Sequence, residues 1–232
     1  MNDTQHTSQG NDTLSAASPL EAAYLASDKI ASSGGMGAAH APVNGTKVNL
    51  SDMCAKMLAF TFLALWDENA VELALTDRKV LFVKTKQVTV HKKRENTQTA
   101  GAQPLLSAIQ DGKSAHDAVY AWFGTDYENP WAFVVEIALR DAERHGLLAE
   151  DKGGGLKAKL GALLTGESRV HPVAEKQREV DAVADACAQR WKQFEAEHSD
   201  LAQQLVKECS KAISGRKEAS SSMPVDYSPP DF

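Results

Sequence analysis

Cysteine is scarce and poorly placed for bridging: Cys54, Cys187 and Cys209 form no C-x-x-C pair and leave one thiol over. That count excludes a disulfide framework, and reduced thiols serving as small core residues are expected. Basic residues are in the minority, 25 against 31 acidic, for a net charge of −6. The chain as a whole therefore offers a polyanion no attraction, and only a local patch could bind one. No apolar run approaches the 18 or so residues that cross a bilayer. The opening residues, MNDTQH, lack the basic start and apolar continuation of a secretory signal. The expectation is a cytoplasmic protein, at most peripheral to a membrane.

Chemical signatures are equally sparse. The seven histidines make no H-x-x-x-H or H-E-x-x-H pair, and none lies within four residues of a cysteine, so local spacing builds no zinc site. There is no G-x-S-x-G elbow. In GALLTGES, residues 161–168, Glu167 stands where a phosphate loop needs its lysine, and a carboxylate there would repel phosphate. Gly153, Gly154 and Gly155 do not form G-x-G-x-x-G. No catalytic residue, metal or cofactor is expected.

What is present is unevenly distributed. Residues 1–48 are rich in Ser, Thr, Ala, Gly and Asn, and residues 215–232 read GRKEASSSMPVDYSPPDF. Both have too few large apolar side chains to offset ordering entropy and are expected to be disordered tails. Within the first, PLEAAYLASDKI (19–30) is short enough to fluctuate as a helix and is a candidate docking segment.

The ordered part is expected to start with Ser51 as a helix N-cap and Asp52 in the first turn. MLAFTFLALW, residues 57–66, is apolar nearly all round, which predicts a buried helix. VELALT (71–76), KVLFVKT (79–85) and QVTVH (87–91) predict two or three short antiparallel strands with breaks at Asp77-Arg78 and 84–86, although VELAL also continues a helical pattern. Three helices follow. The first is over 104–110, the second opens at Ser114 with Val119, Trp122 and Phe123 buried, and the third opens at Asn129-Pro130 and stops at Gly146. Leu147 and Leu148 read as a short strand, and LKAKLGALL (156–164) fits helix or strand.

From 173 to 214, Val180, Ala184, Cys187, Trp191, Phe194, His198, Leu201 and Leu205 recur at spacings of four and three. This is a heptad seam that could break at His198-Ser199-Asp200, and packing back on the domain competes with dimerisation through it.

The fold expected is α+β and mostly helical. A winged-helix-like core with a short β-hairpin over 49–170 is followed by a helical arm over 171–214, with tails 1–48 and 215–232. The would-be recognition helix exposes Glu136, Arg140, Glu143 and Arg144, half of them acidic, so it does not read DNA directly. Charge is concentrated elsewhere: Arg78, Lys79, Lys84, Lys86, Lys92, Lys93 and Arg94 fall in one stretch without an acidic residue.

ELALTDRKVLF, KQVTVHK, PLLSAIQ, VYAWFG (119–124), IALRDAERHGLLAEDK and RVHP resemble in their order the helix, hairpin and helix succession of the Golgi phosphoprotein family, over residues 71–172 at most. The resemblance implies a peripheral membrane protein that recognises phosphoinositide headgroups. It carries over no functional residue, since the family's basic contacts on its later helix would fall in the apolar part of residues 131–139. Two functions are expected from different classes. The first is a non-enzymatic protein–protein interaction or regulatory protein, with Trp191, Phe194, Leu201 and Leu205 as its partner or self-association surface. The second is a binder of nucleic acid or an anionic lipid surface through the basic stretch 78–94.

Overall fold

The computed structural model describes residues 17–35, 37–80, 83–124, 129–150 and 170–221. The described residues are mixed α+β, predominantly helical, with three small sheets among them. The glycine loop at 153–155, GALLTGES and LKAKLGALL lie outside the described residues, as do 1–16 and 222–232.

The largest departure from expectation is at the N-terminus. Helix α1, Pro19–Leu25, is buried at all seven positions, and α2, Ser27–Ile30, follows directly. A capping box starts α1: Ser18 Oγ accepts from Glu21 N at 3.2 Å, and Glu21 Oε2 accepts from Ser18 N at 3.0 Å. Pro19 at the first helical position costs no hydrogen bond. Leu20, Tyr24 and Leu25 lie in the core, each large apolar side chain worth about 1.5–3 kcal/mol on burial. That gain orders the segment, so residues 17–35 and 37–48 are not a disordered tail; composition averaged over 48 residues hid one dense apolar turn. Strands β1, Ala38–His40, and β2, Lys47–Asn49, pair antiparallel.

Helix α3, Leu50–Asp67, is capped by Asn49, whose Oδ1 accepts from Asp52 N at 3.0 Å; Ser51 lies inside the helix. Its buried residues surround the axis, as the apolar run predicts, and it packs against α1. Strands β3, Val71–Val80, and β4, Val83–Lys92, then form a ten-residue antiparallel ladder. The breaks expected at 77–78 and 84–86 are absent. The register sets Asp77 opposite Lys86, which lets charged residues continue a strand on an open ribbon. After α4, Gln103–Ala108, the two-residue β5, Lys113–Ser114, adds to β4.

Helix α5, Ala115–Trp122, is capped by Ser114, and α6, Pro130–Arg144, by Asn129. Gly146, at φ +67, ends α6 in the left-handed turn only glycine adopts freely. Strand β6, Leu148–Glu150, pairs with β7, Val170–Pro172. Helices α7, Gln177–Glu197, and α8, Ser199–Ser221, break at His198, as the seam predicted. They form no separate arm. Helix α7 packs on α1, α8 packs on α3 and α5, and their apolar residues join the same core cluster as the rest. Helix α8 also takes in residues 215–221, which were expected to belong to the C-terminal tail.

Candidate functional site

The two candidate surfaces fare differently. Trp191 and Phe194 are 1% and 0% exposed, Leu201 9% and Leu205 0%. Phe194 sits edge-on to Trp66 at 5.7 Å, and His198 packs on Trp66 at 5.1 Å with the rings tilted by 59°. The seam is therefore internal and offers a partner no surface. Helices α1 and α3 present matching apolar faces on the same chain, and an intramolecular partner outcompetes a second molecule.

The seven basic residues do not form one patch. Alternation along the ladder places odd-numbered β3 residues and even-numbered β4 residues on one face. At the base that face carries Val71, Leu73, Val88 and Val90, all buried. Toward the tip the same face carries Asp77 and Lys86, and the opposite face carries Arg78. Lys92, Lys93 and Arg94 lie at the base, and Lys92 is roughly 26 Å along the strand from Lys84 at about 3.3 Å per residue.

Two of the three base cations are committed internally. Lys92 Nζ meets Glu95 Oε2 at 2.8 Å with its side chain 14% exposed, and Lys93 pairs with Glu72, whose carboxyl that pairing holds below its ordinary range. Arg94 is exposed, its amide bound to Ala70 O at 3.2 Å. A carboxylate organises the adjoining loop. Glu68 loses some solvation but accepts from the Thr97 and Thr99 hydroxyls and from the amides of Gln98 and Thr99, and these bonds hold its pKa below the ordinary value.

At the tip the register sets Lys79 directly opposite Lys84. Like charges in that position destabilise a ribbon. Asp77, Arg78, Thr85 and Lys86 are exposed there. Lys86 Nζ meets Asp200 Oδ2 at 2.6 Å, a contact that raises the lysine pKa and lowers the aspartate's. Both groups are in solvent, so the pair adds little to stability. A cleft of about 430 Å³ lies beside the tip, faced by Arg78 and Lys113 but also by Asp77 and Asp117; its balanced charge selects neither anion nor cation.

Helix α8 carries what sequence reasoning missed. Asp200, Gln204 and Glu208 recur every fourth residue and run along β4. Gln204 Nε2 donates to Lys86 O at 2.7 Å, and Glu208 Oε1 accepts from Val88 N at 2.7 Å. Glu208 Oε2 also accepts from His116 N at 3.2 Å, in the first turn of α5. These side chains replace a neighbouring strand and close the edge of β4. The polar i, i+4, i+8 spacing was visible in the sequence, but it reads as a solvated helix face.

Among the described residues no group of three or more His, Cys, Asp or Glu is placed to hold a metal ion, and no helix is long and apolar enough to cross a membrane. Cys54, Cys187 and Cys209 are buried, and burial pushes all three thiols far above their ordinary pKa, the environment of inert rather than nucleophilic cysteines. Comparison with protein-family models, curated proteins and solved structures finds no match for the chain.

Proposed function

We propose that the protein is a non-enzymatic binding protein that engages an anionic membrane surface with the tip of its β3–β4 hairpin. The observation that carries this reading is the alignment of Lys79 with Lys84, with Arg78 and Lys86 beside them, at the end of the ladder. A negative surface converts that internal repulsion into attraction. Between those cations the sequence runs Val80, Leu81, Phe82, Val83. Cations flanking an apolar stretch of sequence suit a lipid interface, where phosphate and acyl boundary lie side by side, better than they suit a nucleic-acid backbone. The peripheral membrane behaviour implied by the Golgi phosphoprotein resemblance agrees with it.

Nucleic-acid readout has less support. The order α5, α6, β6, β7 favours a winged-helix-like reading of that region, but α6 turns its outward charges on one another. Arg140 pairs with Glu136 at 2.6 Å and Arg144 with Asp141 at 3.2 Å.

Sedimentation with vesicles of neutral lipid, with or without a fraction of phosphatidylserine, tests the proposal. Binding is expected only to the anionic vesicles and should weaken with salt, each cation near the surface contributing about 1 kcal/mol. Arg78→Glu with Lys84→Glu should reduce it at least tenfold, while Lys93→Glu leaves it within about twofold. Equal binding to neutral vesicles, or equal loss in the base variant, would defeat the reading; preference for duplex DNA over vesicles would replace lipid with nucleic acid.

A further inference from the structure

Glu21 is a fully buried carboxylate in a helix that is itself core. Its two oxygens lie 2.8 and 3.1 Å from His145 Nδ1, and Oε2 also accepts from Ser18 N. His145 is the C-cap of α6, where the helix dipole favours an imidazolium, and its side chain is 37% exposed. The imidazole thus touches the core on one edge and water on the other. Asp141, nearly buried one turn earlier on α6, is the other ionisable group acting on Glu21 and is itself paired with Arg144 at 3.2 Å. Glu143 acts on the buried Tyr24 hydroxyl, as does the Cys54 thiol of α3. Gly101 roofs the Ser18 end, where a Cβ would stand 2.8 Å from Ser18 Cβ and 3.4 Å from Asp141 Oδ2.

We propose that Glu21 and His145 form a proton-operated latch that holds the N-terminal segment in the core and loosens it as the pair loses its proton. The pair is neutral with one mobile proton, either as carboxylate with imidazolium or as carboxylic acid with neutral imidazole. Removing that proton leaves a carboxylate charge in the core beside Asp141, with the Ser18 amide as its donor but, among the described residues, no neighbouring cation of its own.

Burial pushes the Glu21 carboxyl above its ordinary value, against the lowering influence of the His145 and Ser18 hydrogen bonds. The sign follows. A group whose pKa is raised in the folded state contributes stability that is complete at low pH and is lost as pH rises through the folded value. The consequence falls on α1, because Glu21 lies at its third position while Leu20, Tyr24 and Leu25 fill the space between α3, α6 and α7.

Amide hydrogen exchange on the full chain, corrected for intrinsic rates, tests the latch by comparing amides 20–25 of α1 with amides 57–63 of α3 as pH is raised from the ordinary carboxyl value of 4.5. Protection of α1 should fall by up to about tenfold per pH unit, the slope of a one-proton linkage, while α3 changes little. Glu21→Gln should retain α1 protection and flatten its pH dependence. A parallel change in both helices, or an unchanged slope in Glu21→Gln, would overturn the proposal. The wild-type readings decide the matter even if the variant fails to fold.

Discussion

The base and the tip of the β3–β4 hairpin share one ladder and one alternation, yet they are held by different forces. At the base the inward face is Val71, Leu73, Val88 and Val90, buried beneath the helices. Toward the tip the same face turns to Asp77 and Lys86, both exposed, and solvent replaces the core. Basic residues occur at both ends, but at the base Lys92 and Lys93 are neutralised by Glu95 and Glu72. Arg94 is exposed at the base, but its two neighbours are held by carboxylates, whereas at the tip the register sets Lys79 opposite Lys84.

Stability measurements should separate the two ends sharply. Leu73→Ala, which empties a core position, is expected to cost about 2–5 kcal/mol in a denaturant titration; a loss under about 1 kcal/mol would place the base outside the core. Glu208→Ala should come next. It strips the Val88 and His116 amides of their acceptor, and each unsatisfied donor costs about 1–3 kcal/mol unless water reaches it.

Glu68→Gln should have a smaller effect, about 1 kcal/mol or less, concentrated in the loop beside the base. The pKa of Glu68 is lowered in the folded protein, so its contribution is complete above its ordinary value of 4.5 and is lost as pH falls through the folded value. The wild type should therefore lose stability in that acid range and the variant less steeply; parallel acid profiles would show that the carboxylate is not the organiser. Smallest of all, Arg78→Glu at the tip should change stability by no more than about 0.5 kcal/mol, although it belongs to the pair of reversals expected to weaken vesicle binding. A melting curve displaced as far as that of Leu73→Ala would erase the distinction between the two ends.

Much of the element order was legible because its signals are local. Asn129-Pro130 starts a helix by satisfying a free amide and needing none at the next position, and Gly146 ends it by admitting a positive φ. His198 was readable as a break in the seam. The ladder's length was not, since Asp77 and Lys86 look like turn residues until the register sets them opposite each other. Helix α1 reads from the sequence as a fluctuating helix in a tail rather than as part of the core, despite a local signal: Ser18 and Glu21 make the S-x-x-E capping box just before a buried turn. At the candidate site, the basic stretch was visible as a run but not as two ends of a strand, and Glu208 could not be told from any other surface carboxylate.

By itself the sequence determined a predominantly helical α+β chain, buried inert thiols and the boundaries of several helices, because capping, periodicity and apolar content act within a few residues. Tertiary structure decided which apolar stripe found an intramolecular partner, so that Trp191 and Phe194 became core and α1 was ordered. It also decided that Lys86, Lys92 and Lys93 met carboxylates from other parts of the chain or the adjoining loop. Both outcomes involve groups more than a hundred residues apart, such as Glu21 with His145 and Val88 with Glu208. Burial and charge compensation are properties of distance in space, which no local pattern encodes.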